Sequence, residues 1–121
     1  MSNRLFQGII HQMREAIGRT VGVVDETGTI ISCSELGRIG EVCSFPLDER
    51  LVKGETFCVD GLTYRPFGSI LHPEYAAFVD GDDEFSSKYA EIVAVSLASV
   101  KSLYDEKYDR GNFIKNVVLD N

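Results

Sequence analysis

The stretch Ser32-Cys33-Ser34-Glu35-Leu36-Gly37-Arg38-Ile39-Gly40 gathers hydroxyls, glycines and one guanidinium within a few residues. A guanidinium clamps a carboxylate through paired hydrogen bonds, serine hydroxyls donate to its oxygens, and glycines let backbone N–H groups approach an anion. The stretch is therefore a candidate pocket for a small acid. The commoner use of the same residues is structural: the serines cap a helical turn and Arg38 pairs with a nearby Glu. Arg65, between Tyr64 and Pro66, is a second candidate cation. Strand alternation puts Tyr64 and Arg65 on opposite faces, so only one of them points inward. If Arg65 faces a cavity, the ligand carries negative charge; otherwise Arg65 belongs to a solvated strand face.

Nucleophilic catalysis has little to work with. His11 falls on the polar side of a helical segment and His72 in a turn before Pro73, and neither adjoins a motif for a Ser or Cys nucleophile. Cys33, Cys43 and Cys58 form no C-x-x-C pair and have no His at zinc-ligand spacing, so they are expected to be reduced, with Cys58 a small buried hydrophobe inside a strand. There is no P-loop and no G-x-G-x-x-G, and Asp80-Gly81-Asp82-Asp83-Glu84 is too short for an EF-hand loop. No cofactor, no metal site and no enzymatic activity are expected. With 12 basic and 19 acidic residues among 121, the formal charge is −7. Such a chain lacks the basic face that grips a phosphate backbone. No apolar run approaches the ~18 residues of a membrane span, and the N-terminus lacks a secretory signal pattern, which points to the cytoplasm.

The elements that must position these groups follow from apolar periodicity. Leu5, Phe6, Ile9, Ile10, Met13, Ala16 and Ile17 recur at helical spacing, with Ser2 as cap and Gly18 as stop. Residues 20–25 and 29–33 read as strands around a turn in which Gly28 takes positive φ. Residues 35–40 suit a turn or one helical turn, and 42–53 suit either a loop or a short helix from Leu47 to Val52. Residues 56–59 and 62–67 flank Asp60-Gly61, a type I′ hairpin signal, and Pro66 should bulge the second strand or leave its N–H side open. Residues 74–79 form a fifth strand. After Asp82 or Asp83 as cap, a long helix carries Phe85, Tyr89, Ile92, Val93, Leu97, Val100, Leu103 and Tyr104. Its subset Val93, Leu97, Val100, Tyr104 has the spacing of a coiled-coil seam, which a helix packed on its own sheet shows as well. Gly111-Asn112 punctuates the pattern before a further apolar helical face. The expected architecture is α+β: a five-stranded antiparallel sheet, covered on one face, between an N-terminal helix and a long C-terminal helix. The expected division is a sensor domain over 1–110 and the start of a connector helix over 111–121, leading to an output region elsewhere in a longer protein.

The run Val21-Gly22-Val23-Val24-Asp25-Glu26-Thr27-Gly28-Thr29-Ile30-Ile31-Ser32-Cys33-Ser34, followed by Arg38-Ile39-Gly40, resembles the N-terminal sensor region of the sugar-diacid regulator family, bacterial transcription factors that include purine catabolism regulator-like members. The stretch from Tyr104 to Asn121 also resembles the connector to the downstream domains of such regulators. The resemblance implies a PAS-like fold with ligand held between sheet and crossover segment, and it nominates Ser32, Ser34, Arg38 and Gly40 as ligand contacts. Where family members that recognise sugar diacids tend to carry a His after the R-I-G, this chain has Glu41-Val42-Cys43-Ser44, so the likeness extends to fold and sensor role and not to that ligand. The function expected is a non-enzymatic sensory domain of a transcriptional regulator. It would bind a small-molecule ligand such as a carboxylate, form a homodimer through the apolar stripes of its first and last helices, have no membrane partner, and touch DNA only through the missing C-terminal region. A ligand-free dimerisation module is the alternative, and a small enzyme a distant third.

Overall fold

The computed structural model describes the backbone of residues 2–68 and 73–117 and the side chains of 5–68 and 73–103. Helix α1 spans Ser2–Ile17 and ends at Gly18, whose φ of +79° suits a residue without a Cβ. Strands β1 (Val21–Asp25) and β2 (Ile30–Cys33) form the first hairpin, a single 3₁₀ turn covers Leu36–Arg38, and α2 spans Leu47–Lys53. Strands β3 (Phe57–Val59) and β4 (Leu62–Gly68) form the second hairpin; Asp60 at φ +54° and Gly61 at +77° give the positive pair that a type I′ turn needs. Strand β5 (Pro73–Asp80) leads to α3 (Ser86–Val117). All pairings are antiparallel in the order β2-β1-β5-β4-β3, which is the expected α+β, PAS-like sheet between its two helices.

Because β2 and β3 lie at opposite edges of the sheet, the chain between them must cross one face, and that crossover corrects the expectation of a single covered face. On one face α1 and α3 bury Phe6, Ile10, Val21, Val23, Ala77, Val79, Val93 and Leu97. On the other, the crossover and α2 bury Val24, Ile30, Cys33, Leu47, Leu51, Tyr64 and Phe78. Strand β5 serves both: Ala77 and Val79 point to the helices, Ala76 and Phe78 to the crossover. Beyond the pair Phe57↔Tyr64, β4 has no β3 residue beside it, so Pro66 sits where one side of the strand is open, and a register irregularity follows at Phe67/Gly68.

Val93 and Leu97, read as half of a coiled-coil seam, are fully buried against the sheet, as are Phe6 and Ile10 on α1. The stripes offered as a dimer interface are thus core stripes, and the large apolar side chains left exposed are Phe85 just before α3 and Ile92, Val95 and Leu103 along it. Gly111-Asn112 does not interrupt α3, which runs its 32 residues to Val117. One interior glycine costs a helix only about 1 kcal/mol relative to alanine. Cys58 is exposed, against expectation, because β3 is a three-residue edge strand that the helices do not cover. All three thiols are free. Ser2 as a side-chain cap, His72 and Tyr104 lie outside the described side chains. No helix of the described residues is long and apolar enough to cross a membrane.

Candidate ligand pocket

A cavity of about 370 Å³ lies between the crossover and the sheet, where the resemblance implied a ligand. The crossover is held over it by edge pairing with β2. The Gly40 N–H donates to the Ile30 carbonyl at 2.8 Å, the Ile30 N–H to Glu41 O at 2.8 Å, and the Cys43 N–H to Gly28 O at 2.8 Å, with a bridge between Thr29 and Val42. Gly40 makes this return possible at φ +101°. Arg38 then reaches over the cavity with its guanidinium 5.6 Å from the centre of the Phe78 ring. It is flanked by Glu35 at 3.5 Å and Glu41 at 3.7 Å, so the ion pair expected of an ordinary turn is present beside the cavity-facing role.

The wall opposite is aromatic. Tyr64 stacks on Phe57 at 5.0 Å and meets Phe45 edge-on at 5.5 Å. Only 5 % of Tyr64 is exposed, and the sole described partner of its hydroxyl is the Cys43 thiol at 3.9 Å. Burial pushes the Tyr64 phenol well above its ordinary range, with Cys43 adding to the effect, so the hydroxyl keeps its proton. Burial also raises the Cys43 and Cys33 thiols, which disfavours their thiolate forms. Asp60, Leu62 and Asp80 close the far end. Leu62 pairs with Asp80, so both lie on the face that carries Phe78.

The candidates named from sequence do not converge. Arg38 lines the cavity and Gly40 shapes the loop beside it. Ser32 faces the helices, because the register irregularity between Val23 and Val24 leaves Ile31 as an extra residue in β2 and reverses the alternation. Ser32 pairs with Val23 of the helix-covered core, whereas Cys33 pairs with Gly22 on the pocket face. Ser34 is structural: its Oγ accepts from the Val21 N–H at 3.1 Å and its own N–H donates to Val21 O at 2.9 Å. Arg65, opposite in alternation to Tyr64, lies on the helix side and donates to Thr56 Oγ1 at 3.2 Å. Tyr64, Phe45, Asp60 and Asp80 are among the cavity residues that sequence reasoning did not nominate. The Asp60-Gly61 turn and the alternation of β4 were the signals for two of them. Among the described residues the hydrogen-bond partner of His11 is Gln7, whose side-chain amide holds the backbone of Cys33 through bonds of 2.9 and 3.2 Å and ties α1 to β2.

The far end of the cavity adjoins the start of α3. The Gly81 N–H donates to Gly61 O at 2.7 Å and Thr63 Oγ1 donates to Gly81 O at 2.8 Å. The Arg19 guanidinium bonds both carboxylate oxygens of Asp83, at 3.1 and 2.8 Å, and stands 5.1 Å from the Tyr89 ring centre. Asp83 in turn accepts from the Ser86 N–H and hydroxyl, capping α3.

No family model matches the chain, and no curated protein matches it. Among solved structures it is similar to a chain in the crystal structure of the E. coli DhaR(N)-DhaL complex, with a TM-score of 0.63 and 13% identity. The likeness covers 96% of this chain and 53% of that one, so this chain spans about half the length of its structural neighbour. It shows a shared fold.

Proposed function

We propose that the chain is a non-enzymatic, ligand-sensing regulatory domain of a bacterial transcriptional regulator, with a small carboxylate metabolite seated against Arg38. The observation that carries this reading is the 370 Å³ cavity between crossover and sheet, into which a guanidinium and a buried tyrosine are turned. A cavity with a few converging polar groups in an otherwise filled core is the usual form of a small-molecule site. The fold shared with a chain of the DhaR(N)-DhaL complex supports a regulatory role, and that complex offers a protein partner as well as a metabolite as a source of signal. The −7 charge supports placing any DNA contact outside this chain.

The output of this reading is α3. A ligand moves an equilibrium only through unequal affinity for its two states. Here the far wall of the cavity is bonded through Gly61, Thr63 and Gly81 to the capped start of α3, so a change at that wall is delivered to the helix. The helix, roughly 48 Å long at 1.5 Å per residue, carries it to residues 111–117, the beginning of the proposed connector. Homodimerisation belongs to the same proposal, with the exposed Ile92, Val95 and Leu103 of α3, and Phe85 just before it, in place of the buried stripes.

The test is Arg38→Ala in calorimetric titrations with straight-chain mono- and dicarboxylates. Loss of a charged hydrogen bond, about 1.5–3 kcal/mol, should weaken whichever carboxylate binds by roughly ten- to a hundredfold with the thermal midpoint nearly unchanged. Unchanged affinity removes Arg38 from the site.

A further inference from the structure

The charges around the cavity say more about its occupant than Arg38 alone. Arg38 is the single cation among the lining residues, against Glu41, Asp60 and Asp80. Its guanidinium is already shared with Glu35 and Glu41. Asp60 and Asp80, at the other end, are exposed and have no salt bridge among the described residues; the Arg19 guanidinium, held by Asp83 and Ser86, is near enough to feel the Asp80 charge but bonds Asp80 only at its carbonyl. A simple carboxylate held by Arg38 would thus meet an excess of negative charge, and a dicarboxylate would bring a second anion toward two unpaired aspartates. Between the two ends lie the rings of Phe45 and Tyr64; Tyr64 is stacked on Phe57, so Phe45 is the ring left to meet a cation. The Tyr64 hydroxyl is the independent sign that something polar belongs here. It is buried, it borders the cavity, and a thiol at 3.9 Å is a poor partner for a group that normally finds a good one when buried.

We infer that the occupant is an ω-amino carboxylate, a zwitterion with its ammonium and carboxylate several carbons apart, whose carboxylate takes Arg38 and the Tyr64 hydroxyl and whose ammonium lies toward Asp60 and Asp80 against the ring of Phe45. This inference rests on the sensing role proposed above and narrows its ligand class. It also gives the signal a direction of travel, because the ammonium end adjoins the Gly61–Gly81 hydrogen bond that precedes α3.

The experiment is calorimetric titration of the chain, and of an Asp60→Asn/Asp80→Asn variant, with three sets of probes: straight-chain ω-amino acids, the amines left when their carboxylates are removed, and straight-chain mono- and dicarboxylates of similar length. Asparagine tolerates the positive φ of residue 60, so the variant keeps its turn, as circular dichroism will verify. The expected result is that at least one amino acid binds ten times or more tighter than its matching amine and its matching carboxylate. The double variant should lose most of that preference over the carboxylate, and Tyr64→Phe should weaken the same amino acid several-fold without lowering the thermal midpoint. Carboxylates or plain amines that bind as tightly as the amino acids overturn the zwitterion, as does a double variant with unaltered preference; in the carboxylate case the sensing role stands. Silence of all three probe sets overturns the sensing role itself.

Discussion

Alanine at position 22 tests both the register of the sheet and the support of the cavity. Gly22 lies opposite Phe78 on β5 and Cys33 on β2. A Cβ built there would fall 2.4 and 2.6 Å from two ring atoms of Phe78 and 2.7 Å from the Ser32 carbonyl oxygen, all inside van der Waals contact. The carbonyl belongs to a backbone held in the sheet, and the ring is fully buried, bounded by Tyr64 at 5.9 Å and overlaid by Arg38. Overpacking of a core costs about 1–3 kcal/mol, and a clash that neither neighbour can escape belongs at the upper end, about 3 kcal/mol. For a domain of this size that is a fall in thermal midpoint of roughly 12 °C. Urea denaturation followed by circular dichroism, with calorimetry alongside, measures it. Phe78→Leu removes the clashing ring atoms and should cost on the order of 1 kcal/mol by itself. The Gly22→Ala/Phe78→Leu double variant should then be more stable than the sum of the two by about 1 kcal/mol or more, a coupling expected of residues in contact. A Gly22→Ala chain within about 0.5 kcal/mol of the parent would refute the register, and strict additivity would refute the part assigned to Phe78.

Two other perturbations address the two helices that cover one face of the sheet. Hydrogen bonds from Arg19 and then from Ser86 hold the Asp83 carboxyl well below the usual carboxylate range, so the stability it supplies is fully present above its unfolded pKa of about 3.9 and is lost as pH falls through its depressed folded value. Asp83→Asn should lower the thermal midpoint at neutral pH and flatten its decline below pH about 4; an acid limb identical to the parent's would show that the Arg19–Asp83 pair does not form. Phe6→Ala removes a ring that meets Phe67 and Tyr75 edge-on at 5.7 and 5.2 Å, and should cost about 3–5 kcal/mol in urea denaturation. A cost under about 1 kcal/mol would make α1 an appendage and not part of the core.

Local patterns carried the elements because their physics is local. The helical spacing of α1, the positive φ demanded by Gly28 and by Asp60-Gly61, and the carboxylate at the start of α3 each act within a few residues. Even so, the seam on α3 was ambiguous in sequence, since a helix facing its own sheet and a helix facing a partner bury the same stripe, and only the burial of Val93 and Leu97 against β-strands settles it. Cys58 misled for the converse reason: apolar alternation marks a strand, but whether anything covers that strand depends on its place in the sheet order.

The sequence by itself therefore determined the segments, their turns, the acidity of the domain and the presence of a cation just after the second strand. What only the tertiary structure decided was which side chains meet. One extra residue, Ile31, reverses the alternation of β2, sending Ser32 to the helices and Cys33 to the pocket face. The crossing of the chain from one sheet edge to the other sets Arg38 over Phe78, and the pairing of β4 with β5 brings the hairpin residues Asp60 and Tyr64 to the same cavity as Asp80. Side-chain direction along a strand depends on a count of residues that a single bulge changes, and proximity across a sheet depends on strand order, and neither quantity is carried by local spacing.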